Sequence, residues 1–136
     1  MPIRSFNEIE EAIYDKRGSA LAYMTDAGFI FGIDGRTIAY VQHSRIWTYP
    51  GIQVGWFDRG WLRTLLGGCV GFAANADKMA GPQQPSRKHA SQLLQKRALR
   101  AIGVRKPATH RPSFPKKWCK APLRLFLAWV QYDAGQ

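Results

Sequence analysis

The residues of this sequence that are best suited to chemistry are cations concentrated in its C-terminal half. Residues 78–132 contain thirteen Lys and Arg and no Asp or Glu, whereas residues 1–77 contain seven Lys and Arg against eight Asp and Glu. Each cation that meets a phosphate releases a counterion, so affinity for a polyanion accumulates along such a segment. The sequence therefore predicts a negatively charged partner, nucleic acid above all. The residues predicted to carry this affinity are Arg87, Lys88, Lys96, Arg97, Arg100, Arg105, Lys106, Arg111, Lys116 and Lys117, with Arg63 as a clamping group.

Two sets of aromatic residues offer a second kind of chemistry. The first set recurs at nearly constant spacing and consists of Tyr23, Tyr40, Trp56 and Phe72. Such a ring either lines a central pocket for a flat or apolar ligand or fills a core, and convergence of large side chains near an axis favours the core. The second set faces away from the first and has the composition of a base-stacking surface. It consists of Tyr14, Phe31 and Trp47, with Arg63 in the fourth place.

Catalytic and metal-binding chemistry finds little support in the sequence. His43, His89 and His110 lack the spacing of metal ligands, and Cys69 and Cys119 are isolated from one another. No nucleophile-elbow, Walker or dinucleotide-binding pattern is present. We therefore expect a protein without catalytic residues, cofactor or metal, and not an enzyme.

The elements that must position these residues form an internal repeat. Four times, an aliphatic residue is followed five places later by a glycine and nine places later by a small residue, with the aromatic residue next. The glycines predict the tight turns of four β-hairpins, because glycine accepts positive φ. Alternation along a strand such as Ile38-Ala39-Tyr40 predicts that Ile38 and Tyr40 share one face while Ala39 points to an axis. The turn glycines are Gly18, Gly35, Gly51 and Gly67.

The repeat units resemble those of the 4-fold β-flower domain family. The matching motifs are Tyr14-Asp15…Gly18…Ala22-Tyr23 and Asp34-Gly35-Arg36…Ala39-Tyr40, and the resemblance covers roughly residues 12–77. It implies a mainly β fold of four hairpins arranged radially with pseudo-fourfold symmetry, and it implies no established activity. The fourth unit departs from the pattern because Arg63 replaces an aromatic residue.

The flanks of the repeat predict additional elements. A capping-box pattern at Ser5 predicts a short N-terminal helix that includes Ala12 and Ile13 and completes a domain of residues 1–77. The remainder, residues 78–136, forms a basic extension.

Within this extension, apolar residues at intervals of three and four predict a basic amphipathic helix over about 86–102. Three prolines predict extended chain over 104–117. The apolar run 123–130 predicts a terminal segment that docks as a strand or helix, or joins a partner subunit.

The favoured hypothesis is a cytoplasmic, non-enzymatic binding protein that engages a negatively charged partner, nucleic acid first, through its basic half. One alternative is a module that sequesters a nucleotide-like small molecule or a protein in a central or inter-repeat pocket. Another is a structural protein that assembles through residues 118–132. A membrane surface ranks behind these as a partner of the basic helix.

Overall fold

The computed structural model of the protein describes residues 10–88 and 99–135. Eight antiparallel strands follow one another around a closed barrel, each paired with the next and β1 paired with β8. One helix, α1, follows near the C-terminus. The strands are β1 Glu10–Tyr14, β2 Ala20–Thr25, β3 Phe29–Gly32, β4 Thr37–Gln42, β5 Arg45–Trp47, β6 Gln53–Asp58, β7 Trp61–Thr64 and β8 Cys69–Ala73, and the helix is α1 Leu123–Gly135.

The hairpin turns predicted at the repeat glycines are confirmed. Gly18, Gly35, Gly51 and Gly67 have φ of 82°, 86°, 104° and 102°, values that only glycine adopts at little cost. The amide of each glycine donates to the carbonyl oxygen three residues earlier at 2.9–3.0 Å, as Gly18 does to Asp15. The four hairpins therefore share one turn geometry, although their turn sequences differ.

Each hairpin also contains a β-bulge at the same place, and this bulge overturns the predicted alternation of faces. Ile30 pairs with Ala39 while the next residue, Phe31, pairs with Thr37, so Ile38 is an extra residue in its strand. A bulge opposes two residues to one and breaks the regular alternation. Ile38 and Ala39 both lie in the interior cluster, whereas Tyr40 lies in a separate cluster. The prediction that Ile38 and Tyr40 share a face is therefore wrong.

Aliphatic residues and α1 fill the interior of the barrel. The apolar segment predicted to dock does so as a helix, and it packs Leu123, Phe126 and Val130 into the same cluster as Ile13 and Ile46. Two small residues of the repeat make room for it. A Cβ added at Gly55 would lie 3.3 Å from the Phe126 ring, and one at Gly71 would lie 3.1 Å from Leu123.

Neither of the two helices predicted in the flanks of the repeat is present in the described residues. Residues Glu10–Tyr14 form strand β1, in which Ala12 pairs with Tyr23, so the N-terminal helix is wrong for the part of its range that is described. Hairpin pairing and burial of Ile13 prevail over local helical spacing there. Most of the predicted basic helix, 89–98, lies outside the described residues, and its two ends at 86–88 and 99–102 are irregular.

An irregular basic segment wraps the outside of the barrel. We call it the strap and define it as residues 82–88 and 99–117. The Lys88 amide donates to the Gly18 carbonyl oxygen at 2.8 Å, and the Lys106 amide donates to that of Gly51 at 2.8 Å. A Cβ on either glycine would collide with a strap carbonyl, of Ser86 or of Val104. The strap therefore packs directly against the backbone of Gly18 and Gly51, where a side chain would leave no room for it.

Within the described part of the chain, no helix is both long enough and apolar enough to span a membrane.

Candidate anion-binding cleft

The ring aromatics lie at the seams between hairpins rather than at a central pocket. In each seam the ring residue of one hairpin pairs with the second-set residue of the next, as in Tyr40 with Trp47. The other pairs are Tyr23 with Phe31, Trp56 with Arg63, and Phe72 with Tyr14. Tyr23, Tyr40, Trp47, Trp56 and Phe72 are all 7% exposed or less. These side chains are structural, and none offers an open ring face for a ligand or base.

Arginines of the strap cover the seams. The Arg87 guanidinium lies 5.7 Å from the centre of the Tyr14 ring. Arg105 lies 5.7 Å from Tyr40 and 5.6 Å from Trp47, and its Nε donates to the Tyr40 hydroxyl at 3.0 Å. Guanidinium groups stack on aromatic faces more readily than ammonium groups do. These predicted anion-binding residues thus already hold the strap to the barrel.

Two further strap arginines also lie over aromatic rings, one in the β5–β6 turn and one in the strap itself. Arg100 lies 5.7 Å from the Tyr49 ring. Arg111 lies 4.3 Å from the Phe114 ring and forms an ion pair with Asp58 at 3.2 Å. Their charge remains near the surface, but their geometry is set by the protein itself.

Arg63 is buried and cannot act as a clamp on an outside partner. It is 1% exposed, and its guanidinium lies 4.6 Å from the Phe114 ring. It donates to the carbonyl oxygens of Gly67 and Pro115 at 2.8 Å and of Ala80 at 2.6 Å. Burial lowers the pKa of Arg63 below its ordinary value, and the three carbonyl groups compensate the charge. Arg63 joins the β7–β8 turn to Ala80, just before the strap, and to Pro115, near the end of the strap.

Five cations do converge on one cleft of about 490 Å³. The cleft lies between the β1–β2 turn, the start of the strap and the entry to α1, and Leu21, Val70 and Leu123 contribute apolar surface to it. The cations that line it are Lys16, Arg17, Lys88, Lys120 and Arg124. Each of these residues is exposed.

The single carboxylate among the lining residues, Asp15, is engaged by backbone. One of its oxygens accepts from the amides of Arg17 at 2.9 Å and Ser19 at 2.8 Å, so it shapes the turn. The first turn of α1 also lines the cleft and contains no acidic residue. The positive end of the helix dipole therefore adds to the cationic side chains. Chemically, the cleft is suited to a phosphate or carboxylate group.

The cleft contains few of the residues predicted from the sequence. Lys88 lines it, whereas Lys106, Lys116 and Lys117 are exposed elsewhere, and Lys96 and Arg97 lie outside the described residues. The predicted site residues omit Lys16, Arg17, Lys120 and Arg124, although the last two belong to the basic half of the sequence. The adjacent cations Lys16 and Arg17 in a predicted turn could have indicated an anion site. Their proximity to α1, however, arises only in the folded protein.

The two cysteines, Cys69 and Cys119, differ in their exposure to solvent. Cys69 is fully buried, and burial raises the pKa of its thiol to about 11. Cys119 lines the cleft and is half-buried. Since the thiolate is the reactive form, the two side chains should react at very different rates.

We expect the Cys69 thiol to make stability fall at alkaline pH. The unfolded chain releases this proton near the ordinary pKa of 9.0, whereas the folded chain keeps it to about 11. The contribution of the protonated Cys69 thiol to the free energy of unfolding is therefore complete below pH 9. It is lost as the pH rises towards 11, at about 1.4 kcal/mol per pH unit. Urea unfolding between these limits should show a steeper decline for the native sequence than for Cys69→Ala. Equal slopes would contradict this assignment.

Comparison with known proteins supports one relationship. Neither the curated proteins nor the solved structures gave a match. A family model described as 4-fold beta flower protein matches residues 11–127, and so extends beyond the repeats through the strap and into α1. Because this match covers most of the chain, the protein belongs to the 4-fold beta flower family.

Proposed function

We propose that this protein is a non-enzymatic binding protein whose partner is a polyanion, nucleic acid in the first place. The observation that carries the proposal is the convergence of five cations on one cleft whose single carboxylate is already engaged by backbone amides. Cations that line one cleft can engage the same polyanion, and each phosphate that they bind releases counterions. The cleft is therefore the anchor of the proposed interface.

Exposed lysines extend the positive surface beyond the cleft. Lys106, Lys116 and Lys117 are exposed, and the strap carries no carboxylate, since residues 78–132 contain no Asp or Glu. Lysine binds phosphate as a point charge without fixed geometry. Together with the burial of every ring aromatic, this favours contact with the backbone over reading of bases. We expect binding with little sequence preference.

A sequestering role at the centre of the barrel finds no support in this geometry. The interior contains the aliphatic cluster and α1, and the ring aromatics lie at the seams. The cleft itself, at about 490 Å³, has the size of a small-molecule site. A mononucleotide is therefore a useful competitor in the test below.

We also infer that the four hairpins are arranged radially about a pseudo-fourfold axis. The support is their common turn geometry, their common bulge position and the equivalent pairing at each seam, such as Tyr23 with Phe31 and Trp56 with Arg63. Superposition of each hairpin on the next tests this through the rotation that relates them. A quarter turn at every step is expected, and unequal rotations would contradict it.

Fluorescence anisotropy with labelled single- and double-stranded oligonucleotides tests the proposed function. We expect binding at about 50 mM salt whose logarithmic affinity falls linearly with the logarithm of salt concentration, because counterions are released. Scrambling the sequence should have little effect, and a mononucleotide should compete weakly. Absence of binding at low salt, or affinity insensitive to salt, would contradict the proposal.

A further inference from the structure

An apolar groove lies beside the basic cleft. It has a volume of about 450 Å³ and lies between the β7–β8 turn and the outer face of α1. Its lining includes Leu65 and Leu66 from the turn and Leu125 and Trp129 from the helix, and its surface is almost entirely apolar. This volume falls within the range of roughly 300–1,000 Å³ typical of small-molecule sites.

The side chains on both walls of the groove are unusually exposed for their type. Leu66 is 88% exposed, Leu125 57% and Trp129 47%. Isolated exposed apolar residues are ordinary on protein surfaces, but a concave group of them favours a ligand. The groove therefore has apolar surface available for burial.

The groove and the cleft are adjacent. Cys119 and Ala121 line both, so a short stretch of chain separates the apolar surface from the cations. Lys120 lies between these two residues in sequence, and Arg124 directly precedes Leu125. A ligand that crosses this boundary meets apolar surface on one side and positive charge on the other.

We propose that the groove and cleft together bind a single-chain anionic amphiphile, with its acyl or alkyl chain in the groove and its phosphate or carboxylate headgroup beside Lys120 and Arg124. This inference rests on the anion-binding cleft of the proposed function but adds a ligand class and a second subsite. An alkyl chain needs no hydrogen-bond partners, whereas a peptide backbone does. The nearly uniform apolar surface of the groove fits the alkyl chain.

Isothermal titration calorimetry with dodecyl phosphate, kept below its critical micelle concentration, tests the proposal. Burial of the chain should strengthen binding by roughly fourfold for each methylene added from octyl to dodecyl phosphate. Dodecanol and dodecyltrimethylammonium should bind at least about tenfold more weakly, because they lack the anion that the cations attract. Inorganic phosphate should bind weakly, because it leaves the groove empty.

A pair of matched variants locates the chain. Leu125→Glu places a carboxylate in the groove and should weaken dodecyl phosphate binding by at least about tenfold. Ile33→Glu introduces the same charge at a residue of similar exposure, 51%, outside the groove and cleft and should leave binding unchanged. Both changes lie on the surface, and thermal unfolding followed by circular dichroism verifies that each variant is folded. Bound dodecyl phosphate should also slow alkylation of Cys119 in the native protein.

Each outcome bears on the proposal separately from the proposed function. Affinity that does not depend on chain length, or equal loss in both variants, overturns the amphiphile site. Binding only to vesicles containing phosphatidylglycerol, and not to monomeric dodecyl phosphate, assigns the groove to a bilayer and also overturns it. If the oligonucleotide binds and dodecyl phosphate does not, the amphiphile site fails and the proposed function stands. If dodecyl phosphate binds and the oligonucleotide does not, the proposed function fails and the amphiphile site stands.

Discussion

Replacing Arg63 with methionine is expected to destabilise the fold by about 3–5 kcal/mol, which is a large part of the stability of a small domain. Methionine approximates the aliphatic part of the arginine side chain but has no guanidinium, so every hydrogen bond from that group is lost. The carbonyl groups of Gly67 and Ala80 then lose their donor in a buried setting, and that of Pro115 loses its donor in a partly buried one. Urea unfolding followed by tryptophan fluorescence measures the loss as a lower midpoint.

Arg111→Met is the matched control for this prediction. Arg111 lies over the same Phe114 ring, but its side chain is 50% exposed and pairs with Asp58 near the surface. Asp58 is 15% exposed but keeps Arg59 as a second partner at 3.8 Å, so loss of Arg111 should cost about 1 kcal/mol, well below the loss expected for Arg63→Met. Similar losses for the two variants would show that contact with the ring, rather than the buried hydrogen bonds of Arg63, determines stability.

Reversing two charges in the cleft is expected to abolish most of the affinity for nucleic acid. Lys120→Glu combined with Arg124→Glu removes two cations from the cleft and introduces two carboxylates facing the proposed phosphate. Loss of two phosphate contacts should weaken binding about a hundredfold at 0.1 M salt and reduce the salt slope by about two. Anisotropy titrations at several salt concentrations measure both quantities.

The control is a double reversal with the same change in net charge at another place. Lys78→Glu combined with Arg36→Glu alters two exposed residues that line neither the cleft nor the lysine surface of the strap. Its effect should be several times smaller, because only long-range attraction is lost. Equal effects of the two variants would indicate that the whole basic surface binds without a localised site.

The turns of this fold were predictable from sequence, whereas the direction of its side chains was not. Gly18 and its three equivalents lie at turns where φ is positive, a requirement that few other residues meet. The bulge at Ile38 could not be predicted from the alternation of residue types along the strand, because an aliphatic residue is compatible with either face. One extra residue per hairpin was enough to place the ring aromatics outside the barrel instead of inside.

The positive charge of the strap was also predictable from sequence, but the contacts that its arginines make were not. Among the described residues of the strap, the arginines lie against aromatic rings of the protein, as Arg87 does on Tyr14. Lysines such as Lys106 and Lys117 remain exposed. Arginine stacks on aromatic rings more readily than lysine does, so the arginines of the strap hold the fold while its lysines face solvent. Only the folded positions of Tyr14 and Tyr40 reveal this division.

The position of α1 has a consequence for how the protein is made. Val130 completes the interior, yet it is synthesised roughly 60 residues after Ala73, the end of the last strand. At translation rates of about 5–20 residues per second, this leaves a delay of roughly 3–12 s. During that time the nascent chain can form hairpins but lacks the helix that covers their apolar faces. The newly made barrel is therefore an expected client of chaperones until its final turn of helix leaves the ribosome.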